Sequence, residues 1–357
     1  MINPPALLSM VPGKREFLAR ALKITGALAA LERAGDRRPG LVVFTFHRVV
    51  EPPLNPFYDR VVSATPASFR SRIDWIKTRF NLPTLHQILD QIETNRPWTK
   101  PTALVTFDDG TRDNFTTAAP ILAERGIPAV FFIPTLYLES PRLPWWDKAA
   151  YMIKQSRASR LAITRPDQAT FMVNLETMPR DHAVQTVLEP FLDQSIDTIE
   201  TCLRDLRRQT QVSVDDGALG RELFMTWDQA RELIGGSSQF AIGSHGHSHP
   251  RLADLSASDQ WRELAESRRI LEQRLARQVT VLAYPFGGSR DYTEETKAIA
   301  ADVGYRAAFC STEGINHPAA TDRFALRRFN CGQGDSVTLL RARITSRDLW
   351  ESSGTKR

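Results

Sequence analysis

Two short segments carry residue types able to grip one metal ion. The first, Thr106-Phe107-Asp108-Asp109-Gly110, follows the apolar run Ala103-Leu104-Val105. The second, Ser244-His245-Gly246-His247-Ser248-His249-Pro250, follows Phe240-Ala241-Ile242. Each places polar side chains just past a buried strand, where α/β folds put their chemistry. Neighbouring side chains on an extended backbone point to different sides. One of Asp108 and Asp109 can therefore bind a cation while the other accepts a proton. Taken alone, an Asp-Asp-Gly triplet is more often a turn. The histidines raise its weight, because three of the chain's seven lie within five residues. On an extended segment all three share a face, whereas on a helical turn only His245 and His249 do. Two neutral imidazoles and one carboxylate suit zinc, iron, cobalt or nickel, with positions left open for water and substrate. An open ligand set is catalytic rather than structural.

The elements that must hold these residues are legible as an alternation. Candidate buried strands are Leu41–Phe46, Ala103–Phe107, Ala129–Ile133, Phe240–Gly243, Val279–Tyr284, Ala307–Cys310 and Phe324–Phe329. Their apolar residues are continuous rather than alternating, the mark of strands covered on both faces. Between them lie helical patterns at Pro66–Phe80, Leu85–Thr94, Asn114–Arg125, Trp227–Ile234, Ala257–Leu275 and Thr293–Val303, the last stopped by Gly304. This order predicts an α/β sheet or barrel of mostly parallel strands. Residues 139–222 break the rhythm. They show helical and polar patterns but no buried strand, and read as a helical insertion too long for a plain loop.

The chain has 357 residues, 42% hydrophobic and 24% charged, as expected of a globular protein. Its net charge of +5 is mild and comes with no nucleic-acid-binding motif. Three scattered cysteines exclude a disulfide framework and a cysteine zinc site as organising features. No signal peptide or membrane-spanning segment is recognised, so a cytoplasmic or membrane-peripheral location is expected. Residues 14–33 combine Lys14, Arg15, Arg20 and Lys23 with Phe17, Leu18, Ala21, Leu22 and Leu28. They predict a helix that either packs on the domain or lies on a membrane surface.

Thr106-Phe107-Asp108-Asp109-Gly110 together with His245-x-x-x-His249-Pro250 resembles the polysaccharide deacetylases, the NodB-homology proteins of carbohydrate esterase family 4. The resemblance covers most of residues 41–329 apart from the insertion. It implies a distorted (β/α) barrel of about seven parallel strands over 41–346, interrupted by 139–222. A helical segment (1–40) would precede it and a short tail (347–357) would follow. It also implies a divalent metal, commonly zinc, with cobalt or nickel as alternatives, and an acetylated glycan as substrate. By the same resemblance Asp109, His245 and His249 hold the metal and Asp108 is the general base. Ala283-Tyr284-Pro285-Phe286-Gly287 resembles the family's third motif, which makes the Phe286 N–H a donor to the oxyanion. The arginine that normally supports the base is replaced there by Ala283, and Arg328 from another strand is the candidate substitute. The region after Phe329 contains no histidine to act as general acid. Phe44-Thr45-Phe46-His47 is similar instead to the opening of a rearranged branch that includes poly-N-acetylglucosamine deacetylases, and this assigns His47 as the acid. Two rival readings remain at this level. One is a glycan-binding module with a degenerate site, favoured by Ala283. The other is a non-haem iron oxygenase, which also uses two histidines and a carboxylate. Trp145 and Trp146 either stack on sugar rings or, as their apolar area favours, pack the insertion down.

Overall fold

The computed structural model describes residues 12–35, 39–51, 56–192, 194–236 and 239–345. The expected tail at 347–357 lies outside them. The chain divides into two compact units, one of residues 1–49, 63–135 and 225–357, the other of residues 50–62 and 136–224.

The first unit is built on seven strands: β1 Leu41–Phe46, β2 Thr102–Phe107, β3 Ala129–Ile133, β4 Phe240–Ser244, β5 Val281–Ala283, β6 Ala307–Phe309 and β7 Phe329–Asn330. They form one sheet in the order β6-β5-β4-β3-β2-β1-β7, every pair parallel. The first three strands are buried along their whole length, which explains their unbroken apolar sequence. Crossover helices follow from the sequence chemistry. Helix α1 (Pro66–Arg79) starts at a Thr65/Ser68 capping box with proline in its first turn, and α2 (Leu85–Glu93) starts at a Thr84/Gln87 box. Helix α3 (Ala119–Arg125) ends at Gly126, whose φ of +66° suits glycine. Helices α4 (Trp227–Gly235), α5 (Ala257–Leu275) and α6 (Glu294–Val303) complete the set.

Residues 324–329 do not form the single strand expected from their apolar run. The segment is shared between the two edges of the sheet. Its first half lies on β6, where the Cys310 N–H donates to the Leu326 carbonyl at 2.9 Å and Leu326 bridges Phe309. Its second half is β7 on β1, pairing Phe329 with Phe44, and the Cys331 N–H donates to Thr45 at 2.8 Å. One crossing segment thus engages both edge strands and closes the sheet into the distorted barrel, leaving neither edge unpaired.

The strands present two apolar faces. Val43, Leu104, Val130, Phe132, Val281, Phe309 and Leu326 share one cluster with Ile88, Leu89 and Ile92 of α2. On the opposite face Phe46, Phe69 of α1, Phe107, Phe131 and Phe240 make a continuous aromatic chain with centroids 5.0–5.8 Å apart.

The helix expected over 14–33 is two helices, Pro12–Ile24 and Ala27–Gly35, broken at Gly26, whose φ is +74°. Ala19 and Leu28 are buried against Leu339 and Ala342 of the helix Val337–Thr345, and Arg341 clasps Glu32 with two bonds of 2.7 Å. These side chains pack on the domain, while Phe17 and Ile24 remain exposed.

The second unit corrects the all-helical expectation for 139–222. Besides the helices Trp145–Gln155, Arg180–Leu188, Ile196–Thr210 and Asp216–Leu223, it contains an antiparallel hairpin of Arg160–Thr164 and Thr170–Asn174. Only Leu161, Ile163 and Val173 of the hairpin are buried, so no continuous apolar run announced it. Gln209 ties it to the helix Ile196–Thr210 through the N–H and C=O of Ala162, at 2.7 and 2.8 Å. Trp146 is buried in this unit's core with Trp145 packed against it, and Asp147 accepts from the Tyr58 N–H at 2.9 Å. The packing role holds for the two tryptophans.

Truncating Phe131, which stacks on Phe107 and meets Phe240 edge-on, opens a cavity between strands. Phe131→Ala is expected to cost about 3–5 kcal/mol, read as a lowered urea midpoint with an unchanged slope.

Candidate active site

Parallel register decides what faces what at the ends of β1 and β2. Phe46 pairs with Phe107, and the Asp108 N–H donates to the Phe46 carbonyl at 3.0 Å. His47 and Asp108 are therefore equivalent positions one residue further on. Alternation places them on the side of Thr45 and Thr106, whose hydroxyls meet at 3.1 Å.

The backbone then departs from the strand. Asp109 has φ +74° and Gly110 φ +64°. This turn aims Asp109 sideways. Its Oδ1 lies 3.7 Å from His245 Nε2 and 3.6 Å from His249 Nε2. The histidines come from the loop after β4. There Gly246 and His249 both take positive φ, so the segment is neither the extended run nor the helical turn considered from sequence. His247 is turned away, its Nδ1 2.8 Å from Thr135 Oγ1. Ser248 is held at N–H and hydroxyl by Glu263.

Asp109, His245 and His249 fit a divalent metal on the chemistry of their donors. Their ligand atoms lie within 4.8 Å of one another. Metal–ligand bonds of about 2.0–2.1 Å put neighbouring ligands of a tetrahedral ion about 3.4 Å apart, close to the two Asp109 distances. His245 Nδ1 lies 2.8 Å from the Ala283 carbonyl, which fixes the proton there and leaves Nε2 as the donor. Burial, with His245 beside it, pushes His249 down to about 4, against the pull of Asp109. Its imidazole is neutral at pH 7, as ligation requires. Three protein ligands leave coordination positions open.

Asp108 is fully buried and makes a bidentate pair with Arg328, Nη1 to Oδ1 at 2.8 Å and Nη2 to Oδ2 at 2.9 Å. Burial is the largest single influence on this carboxyl and pushes it up. The charge of Arg328, then His245 and His47, and the Arg328 bonds together outweigh it and hold the group at about 2. Arg328 itself is anchored by donating from Nε to the Cys310 carbonyl at 2.9 Å, with its guanidinium 5.7 Å from the Phe132 ring centroid. It stands in the segment that closes the barrel. Ala283 contributes through its carbonyl, as the acceptor for His245.

His47 is braced by residues the sequence analysis did not single out. Its N–H donates to Ser63 Oγ at 2.8 Å, and its carbonyl accepts from Asn114 Nδ2 at 2.7 Å. Asp113 accepts from the Val49 N–H at 2.6 Å. Burial raises the Asp113 carboxyl, opposed by the Val49 N–H, Thr111 and Arg48. The available signal was an Asp-Asn pair where the apolar pattern of the next helix begins, in a π-helical turn over Asn114–Ala118. Phe286 takes φ +61°, and its ring lies 4.9 Å from that of His249.

This fold agrees with independent comparisons. The family model for polysaccharide deacetylase matches residues 95–174 and 208–308, about half of the chain. The chain belongs to the polysaccharide deacetylase family. Among curated proteins it is 24% identical over 183 residues to YxkH of Bacillus subtilis (strain 168), assigned to the same family by its name. The match covers 51% of this chain and 63% of that protein, so less than two thirds of the relative is spanned. Among solved structures, the Streptococcus pyogenes deacetylase PplD in complex with acetate shares 17% identity at a TM-score of 0.55, over 85% of this chain and 96% of that one. IcaB from Ammonifex degensii shares 17% identity at a TM-score of 0.54, over 88% and 98%. At such identities the likeness shows the fold.

Two outcomes follow from the geometry. Asp109→Asn and His249→Ala are expected to abolish stoichiometric zinc binding in calorimetric titration of the metal-free protein, while His247→Ala retains it. The second concerns pH. Because the folded Asp108 carboxyl lies below its unfolded value, its pairing stabilises the protein above about pH 4 and that contribution fades as pH falls toward 2. Arg328→Met leaves a buried charge uncompensated and should cost about 3–5 kcal/mol at pH 7. The cost shrinks on acidification, when Asp108 can take a proton. Urea unfolding at pH 7 and pH 4 reads the difference.

Proposed function

We propose that the protein is a metal-dependent deacetylase that removes N-acetyl groups from an amino-sugar polymer or oligomer. The observation that carries this reading is the adjacency of two sets. A three-ligand metal cluster of Asp109, His245 and His249 stands directly beside a second carboxylate, Asp108, locked ionised by Arg328. Asp109, His245 and His249 would hold a divalent metal, zinc being suited to the donors, and such an ion would supply Lewis-acid chemistry toward an acetyl carbonyl and water.

The chain's own residues supply the rest. Asp108 takes the proton of the attacking water as the new carbon–oxygen bond forms. Its two bonds to Arg328 keep it charged and fix its direction, so that it acts as a base without rearranging. The Phe286 N–H offers a donor to the oxyanion, with the left-handed backbone of Phe286 beside His249 setting its place. His47 gives a proton to the sugar nitrogen as the carbon–nitrogen bond breaks, releasing acetate and a free amine. A leaving amine needs that proton, which favours N- over O-deacetylation.

The replacement of the third-motif arginine by Ala283 favoured a degenerate, binding-only site. The guanidinium of Arg328 on Asp108 weighs against that reading, because it gives this carboxylate a charged partner from the segment that closes the barrel. An oxygenase would also leave the Asp108–Arg328 pair without a task.

The test is acetate release from a panel of acetylated amino-sugar oligomers by the zinc-loaded protein. Asp108→Asn and His47→Ala are each expected to lower turnover by roughly two to four orders of magnitude while zinc stays bound. Wild-type rates in both variants would reject these roles. Glycan binding without any acetate release would make the protein a binding module instead.

A further inference from the structure

We propose that the outer face of the helix Pro12–Ile24 docks on an anionic lipid surface. The helix has two apolar stripes and folding uses one. Leu18, Ala19 and Leu22 face the helix Val337–Thr345. Phe17 and Ile24, seven residues and two turns apart on the same side, are 75% and 85% exposed. Of the seven large apolar side chains exposed among the described residues, these two are the most exposed.

Charge identifies the occupant. Over residues 12–35 the chain has Lys14, Arg15, Arg20, Lys23 and Arg33 against Glu16 and Glu32. Both acids are engaged. Glu16 accepts from Ser336 Oγ at 2.8 Å and from Arg20 at 3.0 Å, and Glu32 takes both bonds from Arg341. Arg20 and Lys23 are exposed on the same helix as the apolar pair, and Arg33 is exposed on the next one. A narrow apolar stripe bordered by cations is what a helix lying in a bilayer interface needs, with the apolar side chains in the acyl boundary and the cations at the head groups. The same stripe is too small for a stable protein interface, which buries about 1,200–2,000 Å². The preceding eleven residues carry no charge and include Ile2, Leu7, Leu8, Met10 and Val11, so the apolar character continues in sequence.

The test is co-sedimentation of the full chain with phosphatidylcholine vesicles, with and without phosphatidylglycerol. Its readout is independent of deacetylase activity. Binding is expected to anionic vesicles only, to weaken as ionic strength rises, and to fall roughly tenfold in a Phe17→Ser/Ile24→Ser variant. Both positions are exposed, so the variant should keep the wild-type thermal midpoint. Absence of binding to anionic vesicles, equal binding to neutral ones, or equal binding by the variant each overturns the proposal. So does concentration-dependent self-association that the variant abolishes without any vesicle binding.

Discussion

The buried ion pair of Asp108 and Arg328 is the constraint around which the barrel's active end is arranged. A carboxylate taken out of water is destabilised by several kcal/mol unless a partner compensates it closely. Arg328 does so with two bonds, and its Nε–H donates to the Cys310 carbonyl. That guanidinium can reach Asp108 only because residues 324–330 cross from β6 to β1. Closing the sheet and charging the site are thus one structural act. The same pair engages both oxygens of Asp108, while Asp109 turns its own carboxylate to His245 and His249.

Three of the seven non-glycine residues with positive φ among the described residues lie at the same place. Asp109, His249 and Phe286 are non-glycine residues in the left-handed region. Each such residue costs of order 1–3 kcal/mol and persists only where its surroundings impose it. Here the impositions are visible. The Met225 N–H holds the Gly110 carbonyl at 3.1 Å, Glu263 pins Ser248, and Ser311 donates to the Phe286 carbonyl. Regular strands would carry the residues after them in alternating directions along the strand axes. The left-handed turns redirect three of them to one point.

Much of this was legible without coordinates. The continuous apolar runs located the barrel strands because both faces of a parallel sheet are covered, and helical patterns, one of them stopped by Gly304, located the helices. The hairpin in the second unit was not legible, since half of its side chains face solvent and its apolar residues are few. The apolar run at 324–329 marked burial correctly but not its division between two edge strands, because both halves of a closing segment are equally apolar. Asp113 and Asn114 were passed over for a related reason. Their function is to hold the backbone of residues 47–49, and a backbone partner leaves no trace in side-chain spacing.

The sequence by itself determined the inventory: strand and helix periods, the clustered histidines, the paired aspartates, and the absence of an arginine at position 283. These depend on local chemistry and repeat length, which a linear string records. Tertiary structure decided which of the three histidines turn toward Asp109 and which arginine compensates Asp108. It also left Phe17 and Ile24 without cover. Those outcomes depend on φ angles set by distant hydrogen bonds and on contacts between residues 220 to 320 positions apart. Distances of that kind arise only when the barrel closes.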